Sequence, residues 1–349
     1  MKYRGVVYDV GLHFSPETPS VDPFNPDLVA HDLRVIANDL HANAVRIEGE
    51  SIPRLVTTAR AAHAVGLAVF FNPWKMHAAD DVVRAYLAEA AKAAEGLRGE
   101  GLDIVFVAQC EYTLFNEGII PGATLMERVQ CLGEQLGKAA GGDRPPDGLR
   151  EASEKLNKIL GSFLQEIRPV FHGRVTYSAG TWEAVDWTLF DLVGVDHYRQ
   201  GENDSEYLAG LERYRCDKPL AVMEFGCCAS WAGGFMLLEG SNPDGTGNFA
   251  GGVVPKYSET EQADYIDTLV RLLAGAAVDA AFVYVFSFPT YRAGEGARNL
   301  DMMSFSLVKT WPEADERSKV MPPWEAKESF WRLAKIYKQL AEPQDMVDG

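Results

Sequence analysis

Short apolar runs without polar alternation are followed, along the whole chain, by longer stretches in which apolar residues return every three or four positions. The first kind reads as strands covered on both faces, the second as helices laid over them. The strands fall at residues 5–10, 44–48, 68–72, 104–110, 175–178, 192–196, 220–224 and 281–286. The helices fall at 27–40, 52–65, 80–96, 149–167, 205–214, 259–274 and 324–340, and segment 182–190 has room for only a turn or two. Pro26 suits a first helical turn, and Ser258 stands three residues before Glu261, the spacing of a capping box. Strands alternating with helices from end to end predict an α/β fold, one (β/α)₈ TIM barrel domain over residues 1–349. Three connections, 112–147, 226–257 and 287–321, are too long for simple turns. Each follows a strand end, the face where barrel sites form, so they read as walls or lids of a pocket.

Polar and ionisable residues gather where these apolar strands stop: Asp9, Arg46 with Glu48, Asn72 with Trp74, Cys110 with Glu111, Tyr177 with Ser178, Asp196 with His197 and Tyr198, and Glu224. Burying an isolated charge is costly, so such residues need partners or a function. Eight strands converging on one mouth provide for both. Glu111 and Glu224 end strands four and seven, three strand positions apart, so their side chains can face each other over a substrate. Two facing carboxyl groups suit an acid and a nucleophile if their environments differ. Mutual repulsion would raise the pKa of one, and Arg46 beside Glu224 would lower the other. A purely structural role for both, paired with Arg46 and its neighbours, stays open. Trp74 and Trp231 are candidates to stack on a sugar ring or to pack.

Net charge adds an exclusion. With 33 Lys and Arg against 50 Asp and Glu, the formal charge is −17, which disfavours nucleic acid, whose phosphates need clustered cations. No window reaches the roughly 20 apolar residues of a membrane span, and the opening MKYRGVVYDVG reads as a strand rather than a leader. Five cysteines without metal-ligand spacing, two of them the vicinal pair Cys227 and Cys228, suggest free thiols and a cytoplasmic location. The expected partner is a small molecule.

The segment Lys218-Pro219-Leu220-Ala221-Val222-Met223-Glu224-Phe225-Gly226 resembles the seventh strand of retaining glycoside hydrolases of clan A (family 5-like), which carries the nucleophile. Ile104–Cys110 followed by Glu111 resembles the fourth strand, which ends in the acid/base. Arg46 matches the arginine that holds the nucleophile, and Val193 to Tyr198 is similar to the sixth strand, whose tyrosine faces it. The resemblance covers residues 3–341 and extends to bacterial barrels described as abortive-infection proteins, with 301–309 and 324–337 similar to their closing loop and last helix. It implies a retaining glycosidase with Glu111 as acid/base and Glu224 as nucleophile, needing no metal or organic cofactor, and a glycoside as the small molecule. Cys110 stands where the clan usually has asparagine, Phe286 where it commonly has a tryptophan platform, and Leu114 to Gly118 offers Glu117 as a second choice for the acid/base.

Three other readings stay open. The same carboxylates can move protons on a non-sugar substrate, as in a biosynthetic cyclase, lyase or isomerase. Asp9, Glu48, Glu111, Asp196, His197 and Glu224 form an oxygen-rich set suited to Mg²⁺ or Mn²⁺. The pocket can also bind without turnover.

Overall fold

Eight parallel strands close into a barrel in chain order, with β1 (Tyr3–Asp9) hydrogen-bonded to both β2 (Ala44–Gly49) and β8 (Ala280–Val283). Between them run β3 (Ala68–Pro73), β4 (Ile104–Cys110), β5 (Arg174–Gly180), β6 (Val193–Asp196) and β7 (Leu220–Phe225). This is the (β/α)₈ barrel that the alternation of strands and helices predicts. The computed structural model describes residues 1–15, 18–139, 147–230 and 240–342.

Helices α1 (Pro26–Asn38), α2 (Ile52–Ala64) and α3 (Asp80–Gly99) follow the first three strands. The long connection after β4 is built from a single turn, α4 (Tyr112–Phe115), a full helix, α5 (Leu125–Ala139), and then the crossover helix α6 (Asp147–Ile167). Helices α7 (Asp204–Glu212), α8 (Glu259–Gly275) and α9 (Glu328–Ala341) complete the ring. Between β5 and β6 the crossover shrinks to one 3₁₀ turn, Trp187–Leu189. The capping signals are used: Ser258 accepts from the Glu261 amide, and Asn25 accepts from the Asp27 and Leu28 amides beside Pro26.

Most element ends differ from the sequence reading by one to three residues, and two differences near the C-terminal end have a clear cause. Residues 324–326 form β10 (Trp324–Ala326), antiparallel to β9 (Val308–Thr310), and the last helix begins only at Glu328. Tertiary partners outcompete helix continuation here. The Trp324 indole donates to Asp32 at 2.9 Å, and buried Lys327 pairs with buried Asp301 at 3.0 Å. At the eighth strand the ladder stops at Val283, and residues 284–286 bond to Phe225, Phe305 and Val7 instead.

Side chains alternate across each strand, and this parity positions the site. Tyr3, Val7, Ala44, Phe70, Val105, Val107, Ala221, Met223 and Phe282 form a core cluster of their own inside the barrel. Val6, Val45, Ile47, Val69, Phe71, Phe106, Val175 and Val195 face the helices. Gly5 is needed where the interior is tightest: a Cβ there would lie 2.5 Å from the Ala44 carbonyl and 2.7 Å from the Phe282 ring. The interior positions nearest the carboxyl ends are Asp9, Arg46, Glu48, Asn72, Ser178 and Asp196, all buried. Packed apolar layers below and polar groups above make the upper mouth of the barrel the candidate site.

Candidate active site

Alternation alone does not bring Cys110 and Glu224 inward, because Ala108 and Val222 on the same strands belong to the helix-facing core. Two register shifts correct this, one between Val107 and Cys110 against β5 and one between Val222 and Phe225 against β8. A bulge adds a residue and re-aims the side chains that follow. Gln109 and Glu111 take the left-handed region, with φ of 80° and 40°, a conformation costly for residues with a Cβ unless the surroundings hold it. Several bonds hold the Glu111 turn. Its amide donates to Ser178 O at 2.8 Å, the Tyr112 amide to the Tyr177 hydroxyl at 2.6 Å, and the Thr113 amide to Glu183 Oε1 at 3.1 Å. Glu183 also accepts from the Tyr177 hydroxyl, the Thr113 hydroxyl and the Gly180 amide.

Arg46 is the hub of the floor. It is fully buried, and its Nη1 donates to Glu224 Oε1 at 2.7 Å and to the Met223 carbonyl at 3.1 Å. Nε and Nη2 donate to Asn72 Oδ1 at 3.0 and 2.7 Å, while Glu48 pairs at 3.3 Å and Asp196 lies 3.9 Å away. Burial works against the guanidinium charge, but Glu224, Cys110, Glu48 and Asp196 together hold its proton more tightly than usual. Glu224 accepts from two further donors, the Tyr198 hydroxyl at 2.7 Å on Oε2 and the Cys110 thiol at 3.5 Å on Oε1. The Cys110 thiol also faces Asp196 at 3.6 Å, and Asp196 accepts from Ser178 at 2.6 Å. Burial, with Asp196 and Glu224 alongside, pushes the Cys110 thiol up and keeps it a donor.

Glu111 lines the same cavity as Glu224, Asp196, Tyr198, Trp74 and Tyr284, a space of about 660 Å³, within the usual range for small-molecule sites. Burial first, then the nearby Asp196, Glu224 and Glu183, raise the Glu111 carboxyl well above the ordinary range, opposed by Arg46. Asp196 is raised by burial and by Glu224, and Glu48 by burial and by neighbouring carboxylates, with Arg46 opposing both. Asp9 is pushed to about 6 by burial, even though it accepts from the Gly11 amide at 2.7 Å. The mouth therefore holds more carboxyl groups than one guanidinium can neutralise, and burial and mutual repulsion favour the protonated form of several of them.

The remaining sequence candidates divide by parity. Trp74 lines the cavity, 2% exposed, and its indole N–H has no hydrogen-bond partner among the described residues. His197 turns away from the mouth: its Nε2 meets the Tyr207 carbonyl at 3.0 Å, its ring lies 4.4 Å from that of Tyr207, and burial lowers its pKa. Tyr177 also faces the helices and reaches the site only through the Glu111 turn. Phe286 sits in the helix-facing core against Tyr8 and Trp324, at ring distances of 5.8 and 5.6 Å, because the ladder ends before it. Tyr284, two residues earlier and in step with Phe282, lines the cavity instead. Glu117 is exposed and lines an adjoining cavity of about 550 Å³ with His77 and Phe14. Trp231 lies outside the described residues. Sequence reasoning missed Tyr284, Trp182 and Glu183. The alternation Ala280, Phe282, Tyr284 was the available signal for the first.

Among the described residues, one group, Cys110, Asp196 and Glu224, has ligand atoms within 4.8 Å of one another, a spacing compatible with a metal ion. The Arg46 guanidinium, 2.7 Å from Glu224 and 3.9 Å from Asp196, already supplies positive charge there. All five cysteines are free thiols, and no described helix is long and apolar enough to cross a membrane.

No family model matches the chain, and no curated protein matches it. Solved structures do resemble it. A GH113 β-1,4-mannanase in complex form superposes with a TM-score of 0.58 at 14% identity, covering 97% of this chain and 99% of that one. The GH113 β-mannanase of Alicyclobacillus acidocaldarius gives 0.55 at 15%, covering 97% and 98%. A β-glucuronidase from Ruminococcus gnavus gives 0.53 at 11%, covering 97% of this chain and 49% of that one. At these identities the likeness is one of fold, the (β/α)₈ barrel.

Proposed function

We propose that this chain is a retaining glycoside hydrolase-like enzyme in which Glu224 is the nucleophile and Glu111 the acid/base. The observation that carries the reading is the contrast between the two groups within one cavity. Glu224 is surrounded by donors, a guanidinium, a phenol and a thiol, whereas Glu111 is half-buried beside carboxylates that favour its protonated form. In the first step a Glu224 oxygen attacks the anomeric carbon, the glycosidic C–O bond breaks, and the Glu111 proton passes to the departing oxygen. In the second, Glu111, now a carboxylate, takes a proton from water as that water displaces Glu224 from the sugar. Arg46 and Tyr198 orient the nucleophile, and the solved glycoside hydrolase barrels of the same fold make a sugar the leading substrate class.

Turnover of nitrophenyl β-mannosides, β-glucosides and β-glucuronides tests it. Glu224→Ala should abolish turnover of every substrate. Glu111→Gln should abolish it for alkyl leaving groups, whereas dinitrophenyl leaving groups, which depart without a proton, should still be released in the first step and turnover should then stall at the second step, where the base is missing. Indifference to both substitutions contradicts the reading. A second reading, proton transfer on a non-sugar substrate, is favoured by Cys110 in place of an amide and by the number of raised carboxyl groups. No turnover of any glycoside would move the weight to it.

A further inference from the structure

The cavity has two chemically different sides. Glu111, Asp196, Tyr198, Glu224 and Tyr284 form the polar one, with the further polar side chains of Thr181, Arg199 and Gln200 also in the lining. The insertion after β4 adds to the same lining a wall of Leu114, Phe115, Val129, Leu132 and Leu136, none of which carries a polar side-chain atom. Val129, Leu132 and Leu136 recur at helical spacing on α5, so they form one stripe. Leu136 remains 40% exposed. A Cβ added to Gly133, within the stripe, would meet nothing within 4 Å. The wall is fixed to the Glu111 turn. Leu114 and Phe115 follow Glu111 by three and four residues, and buried Arg128 of α5 donates to the Leu114 carbonyl at 2.6 Å and to the Gly122 carbonyl at 3.2 Å.

An acid that protonates the leaving oxygen must lie on the side of the leaving group, and this wall is continuous with the turn that carries Glu111. A second sugar seated against it would leave hydroxyl groups without partners, which is costly in a buried site. We propose that the substrate's leaving group is apolar, an alkyl or aryl aglycone that lies along the α5 stripe while the sugar occupies the polar side. This rests on the glycosidase reading. Phe14 lines this cavity and also the adjoining one, where Leu125, Phe288 and Leu300 mix with His77, Glu117 and several hydroxyl side chains, so the α5 stripe is the apolar seat for the aglycone.

Binding and turnover separate the two claims. Methyl, butyl, octyl and phenyl β-D-glucopyranosides and β-D-mannopyranosides would be titrated calorimetrically into Glu111→Gln, below micelle-forming concentrations, and offered to the wild type as substrates. Each methylene that reaches the wall should tighten binding by up to about fourfold, so that on at least one sugar octyl exceeds methyl by about tenfold or more. The phenyl arm tells an aryl from an alkyl preference. Adding the half-exposed Leu136→Ser to Glu111→Gln should shrink the octyl-to-methyl ratio, with thermal unfolding confirming the fold. Neither octyl nor phenyl binding tighter than methyl on either sugar, including no binding of any, overturns the proposal. So does a ratio unchanged by Leu136→Ser. Tight octyl binding without turnover of any glycoside by the wild type overturns the glycosidase reading and leaves only a site for an apolar ligand.

Discussion

Arg46 and Glu224 meet at 2.7 Å, with the guanidinium fully buried and clamped on its other edge by Asn72. The pair joins β2 to β7 through the barrel interior, and it is the only cation bound to three carboxylates at once among the described ion pairs. Replacing Arg46 by Met would leave Glu48, Asp196 and Glu224 without a counter-charge. Removing one partner of a buried pair costs about 3–5 kcal/mol, so Arg46→Met should unfold at a markedly lower denaturant midpoint and be inactive. Arg46→Lys should keep more of the stability but little activity, because a single ammonium cannot span Asn72 and Glu224 as the planar fork does. Equilibrium urea unfolding of both variants checks this.

Tyr198 donates to the other oxygen of Glu224. Tyr198→Phe removes that bond and little volume. A hydrogen bond to a charged group is worth about 1.5–3 kcal/mol, so kcat/KM should fall roughly ten- to hundredfold while the unfolding midpoint moves little. Steady-state kinetics on an activated aryl glycoside reads the loss.

Glu183, which holds the turn of Glu111, is pushed to about 7, first by burial, while its four donors pull the other way. A carboxyl whose pKa is raised on folding is ionised more easily unfolded than folded. Its contribution to stability is therefore greatest below the unfolded value, near 4.5, and is lost as the pH rises toward about 7. Glu183→Gln has no such dependence. The stability of the wild type relative to Glu183→Gln should fall between about pH 4.5 and 7 and level off above. Denaturant titrations at half-unit pH steps give the slope, and a difference that is flat across this window contradicts it.

The five thiols differ in accessibility. Cys216 is exposed and Cys131 half-buried, whereas Cys110, Cys227 and Cys228 are buried. Burial first, helped by neighbouring anionic groups, raises Cys110 and Cys227 well above the usual thiol range, and the thiolate is the reactive form. Iodoacetamide at pH 8 should label Cys216 first and Cys131 more slowly in the native protein, with all five labelled only after unfolding. Peptide mass mapping resolves the order.

How much of this was legible in the sequence follows from which forces set each feature. The apolar strands and the polar residues at their ends depend on local pattern, so the barrel order and the clustering of Asp9, Arg46, Asn72 and Asp196 could be read from periodicity. Where the pattern breaks, the reading stops. The shifts that bring Cys110 and Glu224 to the mouth arise from pairing between strands distant in sequence, and nothing in residues 104–111 announces an extra residue in β4. His197 is a candidate by adjacency to the strand end and Phe286 by its resemblance to a tryptophan platform, but the partners that draw them outward, Tyr207 and Trp324, come from other elements. The same holds for residues 324–326, whose helical spacing is overridden by the indole bond to Asp32. Helix α5 lies in a segment whose length reads as a loop, although its stripe of Leu125, Val129, Leu132 and Leu136 has helical periodicity.

Trapping the intermediate tests the central claim most directly. A 2-deoxy-2-fluoro glycoside with a dinitrophenyl leaving group, built on a sugar the enzyme turns over, slows the second step more than the first and should leave one fluoroglycosyl group on the protein. Peptide mapping should find it on Glu224. A label on any other residue, or no label together with a first-formed product of inverted anomeric configuration, would contradict the assignment of Glu224 as nucleophile.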